Sequence, residues 1–136
     1  MPLNRLDHVN LRTTRLDEMI AWYGRALGMH PGDRPPFPFP GAWLYSGDDP
    51  TVHLIGVDEE PEGGEELKLE HFAFSATGLG DMLAVFDREN IPYKLAEVPD
   101  FGIIQANLWD PDGNHLHVDF TAGETDGLGL KFDHEW

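Results

Sequence analysis

Seven histidines and no cysteine stand in this chain. Any metal it holds must therefore be bound by imidazole, carboxylate or carbonyl groups, and thiolate nucleophiles, disulfides and Cys-based zinc sites are excluded together. The histidines are unequal. At an offset of 63 residues, Leu6 to Arg25 (LDHVNLRTTRLDEMIAWYGR) falls on Leu69 to Arg88 (LEHFAFSATGLGDMLAVFDR). Leu6/Leu69, His8/His71, Thr14/Thr77, Leu16/Leu79, Met19/Met82, Ala21/Ala84 and Arg25/Arg88 are identical, and Asp7/Glu70 keep their charge. At an offset of 64, Ala42 falls on Ala106, Leu44 on Leu108, Tyr45 on Trp109, Val52 on Leu116 and His53 on His117. Self-similarity at a fixed period marks a duplicated structural unit, and it sorts His8 with His71 and His53 with His117.

A single histidine on a strand is ordinarily a half-buried imidazole satisfied by hydrogen bonds. Four at repeat-matched positions are better explained by duplication of a site, and halves packed about a pseudo-twofold axis would bring them to one cavity. Neutral imidazole is the common ligand of transition ions, whereas Mg and Ca favour oxygen. The expected cofactor is thus a divalent transition metal (Fe, Zn, Ni or Mn) held by His8, His53, His71 and His117. Neutral ligands leave its charge uncompensated, which favours an anionic small-molecule substrate at the open positions. His115 shares a strand face with His117 and is expected behind the ligands as a support. His30 and His134, in a loop and in the tail, receive no role.

Each half reads as strand, helix and further strands. Alternation predicts a first strand over about residues 5 to 12. Thr14 is placed to cap the next helix, whose apolar stripe is Leu16, Met19, Ile20, Tyr23 and Leu27 and whose end is Gly28. The second helix repeats this with Leu79, Met82, Leu83 and Phe86, ending near Asn90 and Pro92. Strands are expected at about 41–46, 51–57, 93–98 and 102–109, and the turn formers Asp110-Pro111-Asp112-Gly113-Asn114 lead into a last strand, His115 to Phe120. Trp43, Tyr45 and Gln105 fall on these strands, where they serve either substrate binding or sheet packing. The segment 34–41, carrying Phe37, Phe39 and four prolines, is either a loop tucked over the helix or a flap over substrate, with Phe39 touching it. The acidic stretch Asp58 to Glu66 is a solvated linker. From Thr121 the tail carries Leu128, Leu130, Phe132 and Trp136 at period two, the pattern of an extra strand, an arm on a partner subunit or a disordered end.

Composition narrows the partners. The 136 residues, 40% hydrophobic and 25% charged, suit one globular domain, placed at 1–120 with modules at about 5–57 and 68–120 and a tail at 121–136. A formal charge of −16 repels phosphate backbones and anionic membrane surfaces. No apolar run approaches the roughly 20 residues that span a bilayer. Neither nucleic acid nor membrane is an expected partner, and with no apolar leader at the N-terminus a cytoplasmic location is expected.

These residues carry a resemblance. Leu6-Asp7-His8-Val9, the helix ending Trp22-Tyr23-Gly24-Arg25-Ala26-Leu27-Gly28-Met29, Val52-His53-Leu54, Glu70-His71-Phe72 and the Asp110 to Asn114 turn together resemble the vicinal oxygen chelate superfamily: glyoxalases, bleomycin-resistance proteins and extradiol dioxygenases. The resemblance covers about residues 5 to 120. It implies an α+β fold of two tandem βαβββ modules forming a cup-shaped mixed sheet around a metal, commonly in a homodimer, with ligands at positions matching His8, His53, His71 and His117. Glyoxalase I relatives place Glu where His117 and often His53 stand here, and extradiol dioxygenases use two His and one Glu. The expected function is a metal-dependent enzyme acting on a substrate that chelates through vicinal oxygens, by lyase/isomerase chemistry or extradiol-type oxygenation. The alternative is a metal-free sequestering protein of the bleomycin-resistance type, to which high acidity is suited.

Overall fold

The computed structural model describes Pro2, residues 4–63 and 67–132, and the backbone of 134 and 135. Trp136 of the apolar tail and 64–66 of the expected linker lie outside the described residues. The chain divides into two compact units, Met1–Gly63 and Gly64–Trp136. The first unit contains β1 (Val9–Thr13), α1 (Leu16–Leu27), β2 (His30–Pro31), β3 (Gly41–Ser46) and β4 (Asp49–Gly56), in the sheet order β1-β4-β3-β2. The second contains β5 (Phe72–Ser75), α2 (Leu79–Arg88), β6 (Lys94–Val98), β7 (Ile103–Trp109) and β8 (His115–Thr121), in the order β5-β8-β7-β6 with β9 (His134–Glu135) added beside β6. Each unit is therefore a βαβββ module with a mixed sheet, the module's first strand parallel to its fourth and its other pairings antiparallel, β9 adding a parallel pairing to β6, and the fold class is α+β.

Alternation along the strands separates an apolar face from a chemical one. Ala42, Leu44, Val52 and Leu54 are buried, and α1 contributes Met19, Trp22, Tyr23 and Ala26 to the same core. Trp43 and His53 point the other way and oppose each other in register. In the second unit Ile104, Ala106, Leu108, Leu116, Val118 and Phe120 are buried. The intervening Gln105, Asn107, His115, His117 and Asp119 share the opposite face. The turn before β8 is fixed by buried Asp110, whose Oδ1 accepts from the amides of Asp112 (3.0 Å) and Asn114 (2.9 Å) and whose Oδ2 accepts from Asn114 Nδ2 (2.9 Å). Gly113 adopts a φ of 82°, open to glycine at no steric cost.

Several expectations need correction. The first strand begins at Val9, not at residue 5, because its only ladder partner among the described residues is β4, paired from Val52, and just upstream Pro50 has no N–H to donate. His8, and likewise His71 ahead of Phe72, therefore precede their strands by one residue. Thr14 does not cap α1. Its hydroxyl donates to Glu60 (2.7 Å), and the fully buried Thr13 Oγ1 accepts from the Arg15 amide (2.9 Å). His30 lies on the short strand β2 rather than in a loop, and His134 on β9 rather than in a free tail. The period-two residues Leu128, Leu130 and Phe132 form no strand. Gly127 and Gly129, at φ of 77° and 61°, turn the chain there, and Leu128 packs against Gly80 of α2. Before that turn the 3-10 helix Ala122–Thr125 brings Glu124 to α2. Among the described residues no helix is long and apolar enough to cross a membrane.

Candidate functional site

In the first unit His8 and His53 stack, with ring centroids 3.8 Å apart and planes 9° apart. The other face of His53 lies on Trp43, at 4.2 Å and 12°. His53 Nε2–H donates to the Pro50 carbonyl (2.9 Å), so its Nδ1 keeps the lone pair. His8 is half-open to solvent, and its Nδ1–H donates to Asp7 Oδ2 (2.8 Å). These rings form one wall of a cleft of about 350 Å³, which Asn10, Arg34, Phe37, Phe39 and Pro50 also line. The 34–41 segment brings two phenyl rings, stacked at 5.1 Å, to the cleft. Trp43 and Phe39 face this cleft. Tyr45 does not line it; its hydroxyl donates to the Asp33 carbonyl (2.5 Å) and its ring stacks on His30.

In the second unit His71 and His117 approach to 4.6 Å with planes inclined at 41°, and His115 stands 5.3 Å from His71 at 55°. A metal ion lies near the plane of each imidazole it binds, so inclined planes can meet at an ion where parallel planes cannot. Nδ1–H of His71 donates to Glu70 Oε1 (2.6 Å), and Nδ1–H of the nearly buried His117 donates to Asp119 Oδ1 (2.5 Å). The same Glu70 oxygen is 3.5 Å from His115 Nδ1, while His115 Nε2 is hydrogen-bonded to Asn107 Oδ1 (2.8 Å). One donor atom from each of Glu70, His71 and His115 lies within 4.8 Å of the others. Gln105 stands opposite Asp119 in register, and its Oε1 is buried with no hydrogen-bond partner among the described residues.

Electrostatics favour the metal-binding form. Burial pulls the His53 pKa below its usual value, and the nearby His8 charge lowers it further. His117 is likewise lowered by burial, against the opposing pull of Asp119. Both shifts favour the neutral ring, the form that ligation requires. Asp7 and Glu70 are lowered by their hydrogen bonds to His8 and His71 and carry full charge.

The donors are of the kind a transition ion takes, and those brought within reach of one another among the described residues are Glu70, His71 and His115, without His117 or His8. In His8, His71 and His117 a carboxylate takes the Nδ1 proton and leaves Nε2 with the lone pair, the arrangement typical of metal-bound histidine. Imidazole nitrogens with a carboxylate suit Fe, Mn, Zn and Ni alike. Sequence reasoning missed the partners. Asp7 and Glu70 were visible as a repeat-matched acidic pair one residue ahead of each histidine, and Asp119 two residues beyond His117, but Arg34, Phe37 and Asn107 became apparent only from the fold.

The sequence profile of the Glyoxalase/Bleomycin resistance protein/Dioxygenase superfamily matches residues 5–89. The chain is 30% identical over 123 residues to Glyoxylase I 4 of Arabidopsis thaliana, covering 85% of this chain and 70% of that protein. It is 31% identical over 141 residues to the manganese-dependent 2,3-dihydroxybiphenyl 1,2-dioxygenase of Geobacillus genomosp. 3, covering 97% of this chain but only 42% of that enzyme. Its fold is similar to that of lactoylglutathione lyase from Agrobacterium tumefaciens, with a TM-score of 0.67, 19% identity, and 93% and 99% of the two chains covered. With its duplicated βαβββ units and the profile match over more than half its length, the chain belongs to the Glyoxalase/Bleomycin resistance protein/Dioxygenase superfamily.

Proposed function

We propose that this protein is a metal-dependent small-molecule enzyme whose substrate binds the ion through two adjacent oxygens. In the second unit His71 and His117 hold the ion, with Glu70 and His115 beside them; His8 and His53 are the duplicated pair. The observation that supports this most is the pairing of Nδ1 with a carboxylate at both proposed ligands, Glu70 beside His71 and Asp119 beside His117. When bound, a divalent ion supplies Lewis-acid polarisation of substrate oxygens. The chain's own groups fix the imidazole tautomers, favour the neutral form of His53 and His117 and line the approach with apolar rings. The names of the relatives suit both lyase/isomerase chemistry and extradiol-type oxygenation, with Fe or Mn pointing to oxygenation and Zn or Ni to the lyase. A homodimer belongs to the same proposal, and light scattering checks it.

Elemental analysis of protein purified without chelators tests the reading. A stoichiometric first-row transition metal is expected, and the His71→Ala, His117→Ala double variant should lose it. Protein without such a metal, or a variant that retains it, overturns the reading. One observation favours the alternative of metal-free ligand sequestration: the parallel His8–His53–Trp43 stack is a packing geometry. That alternative predicts tight ligand binding by metal-free protein and no turnover with any added ion.

A further inference from the structure

We propose that the first-unit cleft binds a planar aromatic carboxylate, with Arg34 as the residue that recognises the anionic group. The inference concerns the first unit alone and goes beyond the metal reading above. Its starting point is a cation with no carboxylate partner among the described residues. Acidic residues outnumber basic ones by 25 to 9, and Arg5, for comparison, stands 3.5 Å from Asp49. Arg34 has no carboxylate within ion-pair distance among the described residues. Its Nη2 donates to the Phe39 carbonyl (3.0 Å), and its guanidinium lies over the Phe37 and Phe39 rings at 5.1 and 5.2 Å. A guanidinium carries five N–H donors in a planar fork, so donors remain for a carboxylate.

The surroundings hold this group in place. Cation–π contact with two rings and the carbonyl bond fix its head, and the loop between Arg34 and Gly41 contains four prolines, whose φ is set by their rings. Gly41 makes the room: a Cβ there would stand 2.8 Å from Nη2. Phe37 and Phe39 remain 42% and 40% exposed, which leaves adjacent phenyl surface for a ligand to cover. With His8 and Trp43, which stack on His53 by one face only, they give the cleft an aromatic lining suited to a flat ligand. The cleft volume of about 350 Å³ falls within the range of small-molecule sites. A chain of formal charge −16 repels anions in general, so a built-in unpaired arginine is how one anion is selected against that field.

Calorimetry on the full chain, stripped of metal by chelator and dialysis, tests this with 2-naphthoate and its uncharged isostere 2-naphthamide. The acid is expected to bind about tenfold more tightly than the amide. Arg34→Gln should abolish that preference, weakening the acid about tenfold and leaving the amide unchanged, while Phe39→Leu should weaken both probes alike. Equal binding of acid and amide by the unmodified chain overturns the proposal without any variant. So does an Arg34→Gln variant that folds and still prefers the acid, or binding of the acid that disappears on chelation. Metal content is measured on the untreated protein, so a metal-free preparation overturns the enzyme reading while leaving the Arg34 result to be read separately.

Discussion

The two units are copies in backbone and differ in what their histidines touch. His53 opposes Trp43 across the sheet and is clamped between that indole and His8, whereas His117 opposes Asn107 and is left tilted toward His71. Three repeat positions account for the change. Trp43 is matched by Asn107, Thr51 by His115 and Ile55 by Asp119, so an apolar, aromatic setting in the first unit becomes a polar one in the second. The lesson is that duplication conserves the placement of a ligand-type residue while its cross-strand and same-face neighbours decide whether it packs or coordinates. On the proposed function and the inference drawn from Arg34, the first unit is a cleft for a ligand and the second a holder for an ion.

The largest test of that contrast is at Asp119. Asp119→Asn keeps the shape but cannot anchor the His117 tautomer as a carboxylate does, and metal affinity should fall about 10- to 100-fold, read by competition with a chromophoric chelator. Ile55 occupies the matching place, so Ile55→Asn should leave the affinity unchanged. Equal effects at both positions would break the assignment of the ion to the second unit.

Trp43→Asn gives the first unit the cross-strand partner of the second. Loss of the indole from the stack should cost about 1–2 kcal/mol in denaturant unfolding, and less than about 0.5 would mean that the stack does not hold His53. This contrast was beyond the sequence. The repeat, the apolar periodicities and the turn at Asp110 to Asn114 made the module order and the four histidines legible, because each is a local or self-referential pattern. Whether a histidine meets an indole or an amide depends on register, which the β3 to β4 and β7 to β8 hairpins set. The path of residues 34–41, and so the place of Arg34, depends equally on contacts distant in sequence.

The helices differ in the same way, by a smaller amount. Thr13 provides the hydroxyl at the start of α1, but the matching residue before α2 is Ala76, and Gly78 at the N-cap has no side chain to offer. Glu124, from the segment after β8, fills the gap: its Oε1 accepts from the amides of Gly78 (2.8 Å) and Leu79 (2.9 Å), with its charge at the positive end of the helix. Glu124→Ala should destabilise the protein by about 1 kcal/mol, seen as a shift in urea midpoint at constant slope. The N-cap of α1 is Arg15, without a side-chain cap, in place of the expected Thr14, and α2 also lacks a local one, because capping geometry is finer than a sequence pattern resolves.

The smallest expected effect concerns protons on His53. Its pKa is lowered in the folded chain, chiefly by burial under Trp43 and His8, so between that lowered value and the unfolded value near 6.5 the unfolded chain binds more protons. Its presence therefore costs stability as pH falls through that window and has no such effect above it. Acidification also relieves the repulsion of a −16 chain, which acts in the opposite direction, so the total pH profile does not isolate the ring. A His53→Gln variant does: in metal-free protein it should be less stable than the unmodified chain at pH 7.5 because the stack is weakened, and the deficit should shrink as pH falls to 5.5. A deficit that stays constant across this range would show that the His8–His53–Trp43 stack tolerates an imidazolium, and that the first unit is less apolar in character than its contrast with the second requires.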